Sequence, residues 1–125
     1  MLFRSGIIPE GISLSPDGAF LAAAVQNGTN VAKESPWFHD YGYVKVYRVR
    51  GTELVPVAEA RTGRWCQGLA WSRGNKTLVV QCAADNRIEV FRFNGRALQS
   101  APGIAVGGSP TGIRIAASGG RPRTR

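Results

Sequence analysis

The sequence predicts an all-β fold: an incomplete β-propeller of about two four-stranded antiparallel blades plus the first strand of a third. Three observations carry this. Offset by 57 residues, positions 9–21 fall on 66–78 and match Gly11 to Gly68, Ser15 to Ser72 and Leu21 to Leu78. Offset by 44, positions 44–51 fall on 88–95 as Val-Lys-Val-Tyr-Arg-Val-Arg-Gly against Ile-Glu-Val-Phe-Arg-Phe-Asn-Gly. The same 44-residue offset carries Cys-Gln-Gly-Leu at 66–69 onto Pro-Thr-Gly-Ile at 110–113, opening a third copy. The two offsets differ by 13 residues, so the first copy holds an insertion of that length, assigned to residues 30–42. A WD40-like period near 44 with four short strand runs per unit is how a propeller blade reads in sequence.

The first blade spans 9–63. Residues 11–15, Gly-Ile-Ser-Leu-Ser, alternate with period two, as a half-buried strand does. Ser15-Pro16-Asp17-Gly18 makes a tight turn, with Pro fixing φ and Gly free to take a positive one. Residues 20–25 return, their three alanines fitting a crowded place near the propeller axis, and Asn27-Gly28 closes the strand. Ser35-Pro36 and Gly42 mark the insertion as loop, while its aromatics indicate that it packs on something. Residues 43–49 form the third strand. Arg50-Gly51-Thr52 turns into an outer strand over 53–58, where Pro56, lacking an amide donor, suits an edge.

The second blade, 64–107, repeats this order. Its strands are predicted over 68–72, 77–82 and 88–93, with Asn75 in the place of Gly18 and Asn94-Gly95 as a hairpin signal. A weaker outer strand over 97–106 is expected to be interrupted at Pro102-Gly103. Residues 108–117 should open a third blade, and 118–125 read as a disordered basic tail. Residues 1–8 read as a leader outside the repeat, in which Met1 to Ser5 resembles a translated adapter tail and is expected to be artefactual.

The chain of 125 residues holds fewer than three periods, whereas propellers close with four to eight blades. It is therefore expected to be a piece of a longer protein, or a protomer that takes the remaining blades from another copy. Net charge is +8, falling to +4 without Arg4, Arg121, Arg123 and Arg125, and the rest is scattered along strands and turns. That argues for solubility and a mild preference for acidic partners and against a nucleic-acid reader, which concentrates its charge on one face. No run of 18 apolar residues exists to span a membrane, and no secretory signal opens the chain. A periplasmic or secreted parent fits if the two cysteines are paired.

Cys66 and Cys82 flank the turn at 73–76. In a hairpin whose opposed positions sum to 148 they face each other directly, which permits a cross-strand disulfide; a slip of one residue puts them on opposite faces. Two small buried thiols remain the other reading. One His and no close cysteine pair fall short of a metal-ligand pattern, and no cofactor motif is present, so neither metal nor cofactor is expected.

Pro-Glu-Gly-Ile-Ser-Leu-Ser-Pro-Asp-Gly at 9–18 and Ile-Ala-Val-Gly-Gly-Ser-Pro-Thr-Gly-Ile at 104–113 resemble the junction repeat of the bacterial YVTN-type propellers, found also in lactonase-like seven-bladed propellers. The resemblance covers residues 9–116 and implies the fold. It carries no lactonase catalytic residue over by motif, and the Tyr-Val-Thr-Asn that names the repeat is replaced at 23–27 and at 80–84.

Strand order decides which loops share a face. In a four-stranded meander the insertion lies at the same end as the blade junctions at 61–67 and 106–111. Glu10, Gln67 and Thr111 occupy equivalent positions at the starts of three inner strands, where a polar ring at a channel mouth can contact ligand. His39 and Asp40, flanked by Trp37, form the sharpest local cluster. His39 reads as a general base or ligand contact in an aromatic-lined pocket. The plainer reading, a loop whose aromatics pin it to the blade, weighs more. Arg64 and Trp65 invite a stacking role, against a Trp wedged between blades. No catalytic residue is assigned, since no Ser-His-Asp, phosphate-loop or paired-carboxylate pattern appears. The expected function is a binding scaffold whose protein or small-molecule ligand sits on the inserted face, with a lactonase-like propeller hydrolase as the alternative.

Overall fold

The computed structural model describes residues 8–116. Strands β1 (Pro9–Leu14), β2 (Phe20–Val25), β3 (Gly42–Arg50) and β4 (Glu53–Thr62) form one antiparallel sheet in that order. Strands β5 (Cys66–Trp71), β6 (Thr77–Cys82), β7 (Arg87–Phe93) and β8 (Leu98–Ala105) form a second with the same order, and a single 3-10 turn, Ala83–Asp85, joins β6 to β7. The two meanders are the two expected blades.

The repeated serines and turn residues explain the matching hairpins. Ser15 and Ser72 each sit where the first strand ends, and their Oγ atoms accept the amides of Phe20 and Thr77 at 3.0 and 3.1 Å. Gly18 and Asn75 take the positive φ each turn demands, +73° and +58°.

Between the sheets lies one apolar core. Ala22, Ala24, Val44 and Val46 of the first blade meet Cys66, Leu69, Trp71, Leu78, Val80 and Cys82 of the second. Three rings lock it: Phe20 stands edge-on to Phe93 at 4.9 Å, and Trp71 packs on both. Each buried ring is worth roughly 4–6 kcal/mol of transfer free energy as an upper bound. The Trp71 indole also donates to the Ser13 carbonyl across the blades at 3.0 Å, so the one polar atom of this buried side chain is satisfied.

At the inner edge the blades touch backbone to backbone. A Cβ on Gly11 would stand 1.8 Å from the Gln67 carbonyl oxygen, so only glycine allows this approach. The equivalent Gly68 faces the next segment in turn, with the Ile113 methyl 3.2 Å from where its Cβ would be. The glycine repeated at 11 and 68 is thus the residue that lets inner strands crowd at the hub.

Four expectations need correction. The outer strand of the second blade is not interrupted at Pro102-Gly103; β8 runs through them, and the pairing with β7 absorbs the misfit as a bulge between Ile88 and Val90. Residues 108–116 contain no strand, so the opening strand of a third blade is not formed there. A strand is defined by its pairing, and among the described residues this segment pairs with no strand. Gly42, counted with the insertion, belongs to β3, where it pairs with Thr62. The outer strand of the first blade continues past Ala58 to Thr62, with a bulge opposite Val46 and Tyr47 that seats Pro56 on the edge. The readings on 1–7 and 117–125 lie outside the described residues.

Candidate functional site

One tetrapeptide organises the face that carries the insertion. Gln26-Asn27-Gly28-Thr29 leaves β2 as a tight turn, closed by the Thr29 amide on the Gln26 carbonyl at 3.0 Å, with both central residues at positive φ. Gln26, Asn27 and Thr29 are all buried. Each position holds a different piece of the site. The Gln26 side-chain amide donates to the Glu10 carboxylate. The Asn27 carbonyl faces His39 Nδ1 at 2.9 Å, and its side-chain amide donates to the Tyr41 carbonyl at 3.0 Å. Gly28 lies so close to Trp37 that a Cβ would stand 1.9 Å from its carbonyl oxygen. Thr29 Oγ accepts the Trp65 amide of the blade junction at 2.9 Å.

The insertion therefore does not hang free. It is a chain of short turns, Ser35 onto Ala32 and Phe38 onto Ser35, folded back over this tetrapeptide. Facing a carbonyl oxygen, His39 Nδ1 must carry its proton, which leaves Nε2 as the free ring nitrogen. The imidazole stands edge-on to Tyr41, whose ring is covered by the Arg61 guanidinium at 4.0 Å and stacked edge-on by Tyr43. Asp40 is exposed.

The junction of the blades is equally fixed. Asp85, at the end of the 3-10 turn, accepts the Arg64 amide at 2.6 Å, and the Arg64 Nε and Nη2 both donate to its other oxygen at 3.1 Å. Glu89 on β7 takes the neighbouring Gly63 amide at 2.9 Å. Burial pushes the Glu89 carboxyl above the ordinary glutamate range and nearby Asp85 adds to this, against the lowering pull of the Gly63 hydrogen bond and of Arg87. Arg64 is thus occupied by a carboxylate, whereas Trp65, at positive φ, is 42% exposed and Trp37 is 65% exposed.

Glu10 and Gln67 share a second feature that the repeat alone does not reveal. Both lie in β-bulges, the first between Pro9 and Ile12 and the second between Cys66 and Gly68. A bulge at the start of an inner strand turns one side chain out of the alternation. Gln81 of β6, opposite Gly68, is buried with neither amide atom partnered among the described residues, and Gln26 Oε1 is in the same state. Thr111 is exposed on the segment that follows β8.

The described residues hold no group of three or more His, Cys, Asp or Glu able to bind a metal, and no helix long and apolar enough to cross a membrane. Of the eight positions singled out in sequence, Glu10, Trp37, His39 and Trp65 are brought together by the tetrapeptide at 26–29. Arg64 belongs to the Asp85 clamp, Gln67 to the hub contact with Gly11, and Asp40 and Thr111 lie apart on the surface. Sequence reasoning missed Gln26, Thr29, Asp85 and Glu89. Asn27-Gly28 was the available signal, since a turn pair between a strand and a long insertion marks where that insertion must be anchored.

No protein-family model matches the sequence, and no curated protein matches it. Among solved structures, the fold is similar to the crystal structure of a "putative 6-phosphogluconolactonase" from Bacteroides fragilis NCTC 9343, with a TM-score of 0.67 and 24% sequence identity. The match covers 87% of this chain and 28% of that one, so the chain spans little more than a quarter of the structure it resembles. Two four-stranded antiparallel sheets, stacked flank to flank, are the architecture of part of a propeller-fold lactonase.

Proposed function

We propose that this chain is a section of a YVTN-type propeller that serves as a binding scaffold, taking a ligand or partner on the face that carries the insertion. One observation carries the reading: the Thr29 bond to the Trp65 amide and the close seat of Trp37 on Gly28 anchor two exposed tryptophans to the same buried turn. Exposed aromatic side chains held on rigid backbone provide contact area at small entropic cost. Further blades, from the parent or from another copy, would cover Ile12 and Leu14 on the outer flank of the first blade, 69% and 57% exposed. A paired Cys66 and Cys82 favours an oxidising compartment.

The alternative is a piece of a lactonase-like hydrolase. It is favoured by the named structural relative and by the Glu10–Gln26 pair, in which Gln26 Oε1 is buried without a partner among the described residues.

The test is a comparison of the chain with Trp37→Ala, Trp65→Ala, Glu10→Ala and His39→Ala variants, assayed for lactone hydrolysis and, through tryptophan emission, for binding to a panel of saccharides and short peptides. The scaffold predicts hydrolysis at the spontaneous rate throughout, and a saturable emission change that the two tryptophan variants abolish. Hydrolysis above background that Glu10→Ala or His39→Ala removes establishes the enzyme instead.

A further inference from the structure

The opposite face of the molecule holds a cavity that the function above does not use. It lies at the turn end of the second blade, has a volume of about 730 Å³, and is bounded on one side by Phe20 of the first blade. Cavities of roughly 300–1,000 Å³ are the size that takes small molecules. Phe20 reaches it from the first blade, and the packing of the Phe20, Trp71 and Phe93 rings holds the two sheets together beside it.

Its chemistry is asymmetric. Phe20 and Phe93, packed edge to face, supply an aromatic wall, and the cations Lys76 and Arg92 stand on the rim together with the neutral amides of Asn75 and Gln99. A third cation, the Arg48 guanidinium, covers the Phe20 ring at 5.0 Å. No carboxylate lines the cavity. Asp17, which reaches the Asn75 side chain from the neighbouring turn, is held first by the Ala19 amide at 2.9 Å and then by the Ser15 hydroxyl at 2.7 Å; these bonds keep its pKa below the ordinary aspartate range. Arg92 makes a long 3.4 Å contact to the Thr77 hydroxyl and forms no ion pair with a described residue.

From this combination we infer that the cavity binds a small aromatic or alicyclic anion, its apolar body against Phe20 and Phe93 and its carboxylate against Lys76 and Arg92. The apolar contact supplies affinity, and the two cations distinguish an acid from its neutral analogue. The site is independent of the inserted face and stands or falls separately from the scaffold reading.

The experiment is a titration of the chain with naphthalene-2-carboxylate and with its neutral analogue naphthalene-2-methanol, followed by amide chemical shifts and calorimetry. The carboxylate should bind about tenfold more tightly than the alcohol, with shifts centred on residues 74–76 and 92–97. The Lys76→Gln/Arg92→Gln double variant alters exposed side chains and should keep its melting temperature while losing that tenfold preference. Equal binding of acid and alcohol, retention of the preference in the double variant, shifts confined to the inserted face, or no binding of either probe would each overturn the assignment.

Discussion

Gly28 shows how much one residue can be asked to do. Its φ of +80° is left-handed, and its missing side chain leaves room for the Trp37 carbonyl, so the turn and the docking of the insertion need the same absent Cβ. The Asn27-Gly28 pair was visible in the sequence as a strand end, but its second duty was not, because the carbonyl it accommodates comes from a loop without periodicity. Glu89 is the other residue whose role depends on surroundings that no local pattern records. Its raised pKa means the folded state holds the proton to higher pH than the unfolded state does. The stability tied to that proton is present below the ordinary glutamate value and declines as pH rises through the raised one. Glu89→Gln should remove this slope. Thermal melts from about pH 4 to about pH 8 should show the parent losing stability relative to the variant as pH rises, and parallel curves would contradict the assignment.

Among the elements, the hairpin of β5 and β6 best separates what was legible from what was not. Its strands and turn follow from alternation and from Ser72 and Asn75, yet its register changes within six residues. Cys66 pairs with Cys82, while from Gly68 onward every pairing is shifted by one. The bulge at Gln67 absorbs the difference, and this is why the sequence left the cysteines undecided between facing and opposed positions. The structure joins them in a disulfide, fully buried against the first blade. For a loop of this length the cross-link is worth about 3 kcal/mol. Cys66→Ala/Cys82→Ala should lower the unfolding free energy in denaturant by about 2–4 kcal/mol, with part of the loss coming from the space left in the core. A change below about 0.5 kcal/mol would show that the bond is not formed in solution. The outer strands were read less well than the inner ones. Both carry prolines, and both survive them through bulges, a device that depends on the neighbouring strand and leaves little trace in the strand's own residues.

At the scale of the whole molecule, the repeat foretold two similar sheets, and the repeated glycine foretold a shared constraint without saying what it served. The inner strands approach so closely that Gly11 lies against the Gln67 carbonyl, and this is what the glycine serves. The core between the sheets gathers residues distant in sequence, and the Trp71 indole reaches the Ser13 carbonyl 58 positions away. Both candidate binding regions depend on this stacking, since Thr29 meets Trp65 at one end and Phe20 meets Phe93 at the other. The most direct test is a nuclear Overhauser spectrum of the chain. Cross-peaks from the Trp71 ring to Phe20 and from its indole proton to the Ser13–Leu14 backbone, together with Gly11 to Gly68, are the predicted result. Cross-peaks confined within each sheet, with none between them, would contradict the stacked-blade account.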